Sequence, residues 1–188
     1  MSETRTRNSI IHQLPPEISN KIAAGEVIQR PSSVVKELLD NSIDSGADSI
    51  KIITERAGRT LIQVIDNGCG MSEDDLVLCF ERHATSKINS VDDLFRIKTL
   101  GFRGEAMASI ASISQVSVRS KRAEDENGWE FEIWGGKEKE PVPVATDNGT
   151  SISVRNLFFN VPARRQFLKT DVTELRHILR TVQYAALA

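Results

Sequence analysis

Glu37, Asp40, Asn41 and Asp44 recur three or four residues apart in KELLDNSIDSGA, residues 36–47. On a helix that spacing places all four on one face. Like charges so placed repel one another, and no Lys or Arg interleaves with them on that face. Two readings follow. The stripe is a solvated helix face, or it holds a metal ion and a water. A carboxylate with an unperturbed pKa of about 4.3 is ionised at neutral pH and can take a proton from water. An amide oxygen suits Mg2+, which keeps several waters and takes one or two protein oxygens plus phosphates.

Three further stretches could carry chemistry. In VIDNGCGM (64–71) a β-run ends at Asp66 and two glycines follow within four residues. The carboxylate could accept a hydrogen bond from an exocyclic amine, with the Gly turn leaving room for a flat base. Asp-Asn-Gly is also ordinary turn chemistry. In TLGFRGEA (99–106) Gly101 and Gly104 flank Arg103 just before a helix; helix-start amides and a cation suit a phosphate chain, and close helix packing would equally call for the glycines. RHATSK (82–87) adds two hydroxyls and a Lys ahead of it. In NGT (148–150), Thr150 opens a strand and could set a hydroxyl against a base, though Thr is common in strands.

The elements that must position these groups can be read from periodicity. PEISNKIAAGEVI predicts a helix with Ile18, Ile22 and Ala23 on one side. RPSSVVKELLDNSID predicts another, capped by Ser32 or Ser33, burying Val34, Val35, Leu38 and Leu39, and stopped by Gly46. SIKIIT and LIQVID predict a hairpin around Gly58. Ser72 and Asp75 form a capping box for the next helix. After a long loop, AMASIASI is helical, and QVSVRS, WEFEIW, VPVAT and SISVRNL are strands. The final helix carries Val172, Leu175, Ile178, Leu179 and Val182 in one stripe, with Asp171 and Glu174 as its capping pair. Turn-linked strands with grouped helices predict an α+β fold, a two-layer sandwich of helices on a mixed, mostly antiparallel sheet.

Composition sets outer bounds. The 188 residues carry 24 Lys plus Arg against 26 Asp plus Glu, a net charge of −2, which argues against a dedicated nucleic-acid binder. Cys69 and Cys79 form no CxxC pair, and the three histidines lack metal spacing. No P-loop, GxGxxG or GxSxG motif occurs. The polar start and the lack of a long apolar run predict an intracellular chain without a membrane span, so the Asn148-Gly149-Thr150 sequon is read as accidental. The final helix has no stop signal, which hints at truncation.

Together and in this order, the acid-Asn stripe, DxGxG, the Gly-rich loop and GT resemble the GHKL ATPases, the superfamily of DNA gyrase B, heat-shock chaperones, histidine kinases and MutL. KIAAGEVIQRPSSVVKELLDNSIDSGA, IDNGCGM, RHATSK, LGFRGEA and NLFFNVPARRQFLK are similar to signatures of the MutL family of mismatch-repair ATPases, from about residue 11 to about 170. The resemblance implies a GHKL (Bergerat) fold and an ATP-binding subdomain over residues 1–188. It implies Mg2+-dependent ATP binding and slow hydrolysis that drives dimerisation in DNA mismatch repair. Glu37 matches the general base and Asn41 the Mg2+ ligand. Asp66 matches the adenine-reading carboxylate, with Gly70 beside the base and Thr150 near it through a water. Thr85, Ser86 and Lys87, with Leu100, Gly101, Phe102, Arg103 and Gly104, match the lid over the triphosphate.

Further expectations come with the resemblance. A second subdomain of the family supplies a lysine to the γ-phosphate, so a chain ending at Ala188 is expected to turn over weakly by itself. A nucleotide-binding scaffold without turnover is the alternative. Expected partners are a second copy on ATP binding, MutS-type repair proteins and, weakly, DNA. The best local basic patch is Arg164, Arg165 and Lys169, which would otherwise be a solvated face. A cytoplasmic setting is expected for a bacterial protein and a nuclear one for a eukaryotic protein.

Overall fold

The computed structural model describes residues 13–87 and 104–187. Two helices lead, α1 (Pro16–Val27) and α2 (Pro31–Asp44), followed by the hairpin of β1 (Ile50–Glu55) and β2 (Leu61–Asp66). The short α3 (Glu73–Leu78) precedes α4 (Ala106–Ile113), β3 (Gln115–Lys121) and β4 (Gly128–Trp134). Then come β5 (Lys137–Glu138), β6 (Val142–Val144), β7 (Gly149–Arg155), α5 (Pro162–Phe167) and α6 (Asp171–Leu187).

The strands form one sheet in the order β1-β2-β7-β3-β4-β5, with β6 also on β4. Every pairing among the described residues is antiparallel, so the sheet lies at the antiparallel end of the mixed sheet expected. β7 is the last strand in sequence yet sits in the middle, between β2 and β3.

Register sorts the side chains into rows. Ile52, Val64, Ile152, Val118 and Phe131 stand abreast across five strands. Because side chains alternate between faces, this row and the neighbouring Ile62, Val154, Val116 and Ile133 all point to the helix layer. α2 answers with Val34, Val35 and Leu38, and α4 with Ile110 and Ile113, all buried. Each such burial is worth about 1.5–3 kcal/mol. The opposite face is polar: Gln63 Nε2 donates to Ser151 Oγ at 3.1 Å, and Ser117 Oγ donates to Glu130 Oε1 at 3.0 Å. A half-solvated antiparallel sheet gives this alternation.

Helix ends follow local chemistry, with one exception. α2 starts at Pro31, a residue suited to the first turn, and neither Ser32 nor Ser33 caps it by a side-chain bond. It stops as predicted. Gly46 adopts φ +77°, its N–H donates to Ile43 O at 3.0 Å, and Ala47 N–H donates to Ser42 O at 3.3 Å, which is a Schellman pair. Ser72 caps α3, accepting from Asp75 N–H at 3.2 Å and donating to the Asp75 carboxylate at 2.7 Å.

Two predicted helix faces need correction. On α1, Ile18 and Ile22 are 46% and 49% exposed, while Ala24 and Ile28 are buried. α4 packs against α1. On α6, Ile178 and Glu174 face inward, whereas Val172 and Leu179 are 70% and 54% exposed. The capping pair also differs. Asp171 pairs with Arg59 at 2.8 Å, Thr170 Oγ1 accepts from Thr173 N–H at 3.4 Å, and Glu174 Oε1 accepts from Lys169 N–H at 3.0 Å.

Candidate functional site at one end of the sheet

At one end of the helix-facing surface the apolar rows give way to Asp66, Thr150 and Ser120, adjacent residues of β2, β7 and β3. Asp66 ends β2 and both its oxygens are engaged. Ser42 Oγ of α2 donates to Oδ2 at 2.8 Å, and Gly68 N–H donates to Oδ1 at 3.0 Å. The close approaches here demand glycine. A Cβ on Gly68 would lie 1.9 Å from Ser45 Oγ, and one on Gly70, at φ +70°, would lie 2.1 Å from Lys121 O. Gly70 is thus required by the backbone of β3, a need separate from the base contact expected of it.

The α2 stripe runs beside this row. Asp40 is buried and accepts from Lys36 Nζ at 2.5 Å. That bond, more than the nearby charges, raises the Lys36 pKa above its ordinary value. The expectation that no basic residue interleaves is therefore overturned, because Lys36 lies one turn from Asp40 and folds onto it. Glu37, Asn41 and Asp44 are half-buried, which also rules out a plain solvated face. Lys87, from RHATSK, donates from Nζ to Asn41 Oδ1 at 3.0 Å and to Asp44 Oδ2 at 2.5 Å.

Those two oxygens converge on one cationic group, so the donor set fits a hard cation. Among the described residues no group of three or more His, Cys, Asp or Glu gathers as a metal site; an ion at Asn41 would draw most of its ligands from phosphate and water.

Thr85 and Ser86 are exposed, and Thr85 Oγ1 accepts from Lys87 N–H at 3.1 Å. Gly104, at φ +59°, accepts through its carbonyl from His83 N–H at 3.0 Å, and a Cβ there would lie 2.5 Å from Ala84 O. RHATSK and the end of LGFRGEA therefore meet. Leu100, Gly101, Phe102 and Arg103 lie outside the described residues.

The family model described as histidine kinase-, DNA gyrase B-, and HSP90-like ATPase matches residues 29–157, the span that holds α2, the sheet and this pocket. The chain belongs to that ATPase family. The resemblance to MutL also holds. The chain is 61% identical over 175 residues to a DNA mismatch repair protein MutL of Chloroherpeton thalassium, covering 93% of this chain and 27% of that protein. Against MutL of Chlorobaculum parvum it is 56% identical over 178 residues, covering 95% and 28%. The chain thus spans somewhat over a quarter of the length of these relatives. Among solved structures it is similar to the Aquifex aeolicus MutL ATPase domain complexed with ADP. The TM-score is 0.65 at 33% identity, covering 86% of this chain and 56% of that one.

Two residues of this candidate site were invisible to sequence reasoning. Ser42 and Ser120 are buried hydroxyls whose type carries no periodic signal. The position of Ser42, next to Asn41 in the stripe, was the one available hint. The basic patch is also divided. The Arg164 guanidinium packs where a Cβ of Gly25 would be, with its Nη1 atom buried, while Arg165 and Lys169 are exposed. Among the described residues no helix is long and apolar enough to cross a membrane.

Proposed function

We propose that this chain binds ATP with Mg2+ and contributes the catalytic groups for slow ATP hydrolysis in a DNA mismatch repair protein. The observation that carries the reading is the Ser42–Asp66 hydrogen bond of 2.8 Å. It ties the residue suited to a base amine onto the same helix that carries Glu37 and Asn41. The base end and the phosphate end are thereby held at a set separation, which positioning catalysis requires.

In this reading Asp66 accepts from the adenine amine, with Gly70 beside the ring and Thr150 close by through a water. Glu37 takes the proton of the attacking water. Thr85, Ser86, Lys87 and the segment Leu100, Gly101, Phe102, Arg103 and Gly104 cover the triphosphate. Asn41, with Asp44 beside it, would hold Mg2+, which when bound neutralises charge on the phosphates. Mg2+ at Asn41 would compete with the Lys87 ammonium for the amide oxygen, and Lys87 would then be available to the phosphates.

ATP-driven dimerisation, contact with MutS-type partners and weak DNA binding through Arg165 and Lys169 belong to the whole protein. Arg164 takes less part, because its guanidinium faces Gly25. The bacterial MutL relatives support a cytoplasmic setting.

The test is titration of ATP, with and without Mg2+, into the intact protein and its Glu37→Ala variant. Affinity should depend on Mg2+ and survive the substitution, while hydrolysis should fall by about 10²–10⁴. Undiminished hydrolysis would remove Glu37 from its role and leave a nucleotide-binding scaffold as the better account.

A further inference from the structure

The two edges of the sheet are finished differently. Beyond β4 lie β5, of two residues, and β6, of three with Pro143 at its centre; short, proline-bearing strands blunt an edge against further pairing. At the opposite edge β1 runs for six residues, and among the described residues no strand pairs with it besides β2. The direction of its backbone groups follows from its two ends. Asn67 N–H donates to Ser49 O and Thr60 N–H donates to Glu55 O, each at 3.4 Å, so the odd-numbered residues turn their polar groups toward β2. Those groups alternate sides along a strand. Ile50, Ile52 and Thr54 therefore turn theirs to the open edge.

The side chains of β1 on the polar face are Lys51, Ile53 and Glu55. Lys51 and Glu55 are exposed, and neither has an ion-pair partner among the described residues. Ile53 is half-buried and apolar, at the end of a row that is otherwise Gln63, Ser153, Ser117 and Glu132. Charges of one sign would guard an open edge by repelling their like. Opposite charges placed symmetrically about an apolar residue do the reverse. Two copies of β1 laid antiparallel, with Ile53 facing Ile53, set Lys51 of each against Glu55 of the other. The same alignment sets Ile52 opposite Thr54, whose free backbone groups can then bond. Centring on Ile52 or on Thr54 would also satisfy the backbone, but would face one charge with Ile53.

We propose that the β1 edge is a self-association surface whose occupant is a second copy of this chain, joined strand to strand about a two-fold axis at Ile53 into one continuous sheet. A contact of this kind uses the same patch on both copies and closes on itself. It needs no nucleotide, and it is separate from the ATP-driven dimerisation proposed above.

The test is disulfide trapping in the intact, nucleotide-free protein with diamide as oxidant, in a Cys69→Ser background that removes the exposed thiol. Facing residues of a non-hydrogen-bonded pair lie about 4.5 Å apart at Cα, within disulfide reach. Ile53→Cys should therefore give a covalent dimer, its bond mapped by mass spectrometry to the substituted position in both copies. Lys51→Cys should not, because antiparallel strands place the two copies of that position about 14 Å apart. Adding Lys51→Glu to Ile53→Cys turns two attractive cross-strand pairs repulsive and should slow trapping about tenfold. Adding Glu55→Lys as well reverses both charges and should restore the rate. No trapping at Ile53→Cys, equal trapping at Lys51→Cys, or failure of the double reversal to rescue overturns the proposal.

Discussion

Cys69 and Cys79 differ in what surrounds their sulfurs. Cys69 is exposed in the loop after β2. Cys79 closes α3, its thiol donating to Leu76 O at 3.2 Å. Burial first, and the charge of Asp75 second, push its pKa from 9.0 up to about 12. Since the thiolate is the nucleophile, a thiol reagent at pH 8 should label the folded chain rapidly at Cys69, and Cys79, only partly exposed, should follow much more slowly. Rapid labelling of both would contradict the placement of Cys79. Folding favours the protonated Cys79, so its contribution to stability is intact below about pH 9 and is lost progressively as pH rises toward 12. The fall in urea midpoint over that range should be smaller in Cys79→Ala. The acids of α2 divide at the same scale: Asp40 belongs to Lys36, one turn back on the same helix and so within reach of spacing, while Asp44 belongs to Lys87, a distant pairing that needed positions.

At the scale of elements, the turn after β2 shows how little freedom the pocket wall has. Gly70→Ala would place a methyl 2.1 Å from Lys121 O at φ +70°, and the obstacle is backbone that cannot swing aside. We expect more than about 2 kcal/mol of destabilisation in urea, against a few tenths for Gly46→Ala beyond its positive-φ strain, since nothing lies within 4 Å there. What sequence revealed at this scale was local chemistry. The Gly46 stop, the Ser72 cap and the strands β2 and β7 depend on near neighbours, and all are present. The inner faces of α1 and α6 depend on partners. Both helices carry apolar residues on more than one side, and packing of α4 on α1 and of α2 on α6 chose Ala24 and Ile178. The row of Asp66, Thr150 and Ser120 is likewise a product of register between strands far apart in the chain, so Asp66 and Thr150 could be nominated singly, and Ser120 not at all.

For the whole molecule the decisive feature is the place of β7. It joins β2 on one side and β3 on the other, so the two halves of the sheet have no direct ladder between them. A chain ending at residue 147 should therefore lack a cooperative unfolding transition and the hydrogen-exchange protection of β2 and β3; retention of both would show that the halves hold together through their helices alone. The same placement bears on synthesis. While the ribosome is still making residues 122–148, β2 and β3 are both finished but each has a bare, hydrogen-bonding edge facing a strand that has yet to be translated. Long-range pairing of this kind is slow and leaves edges open to wrong partners. The nascent chain is thus most vulnerable in the interval before Gly149–Arg155 clears the exit tunnel, and it is the strand bearing Thr150 that ends that interval.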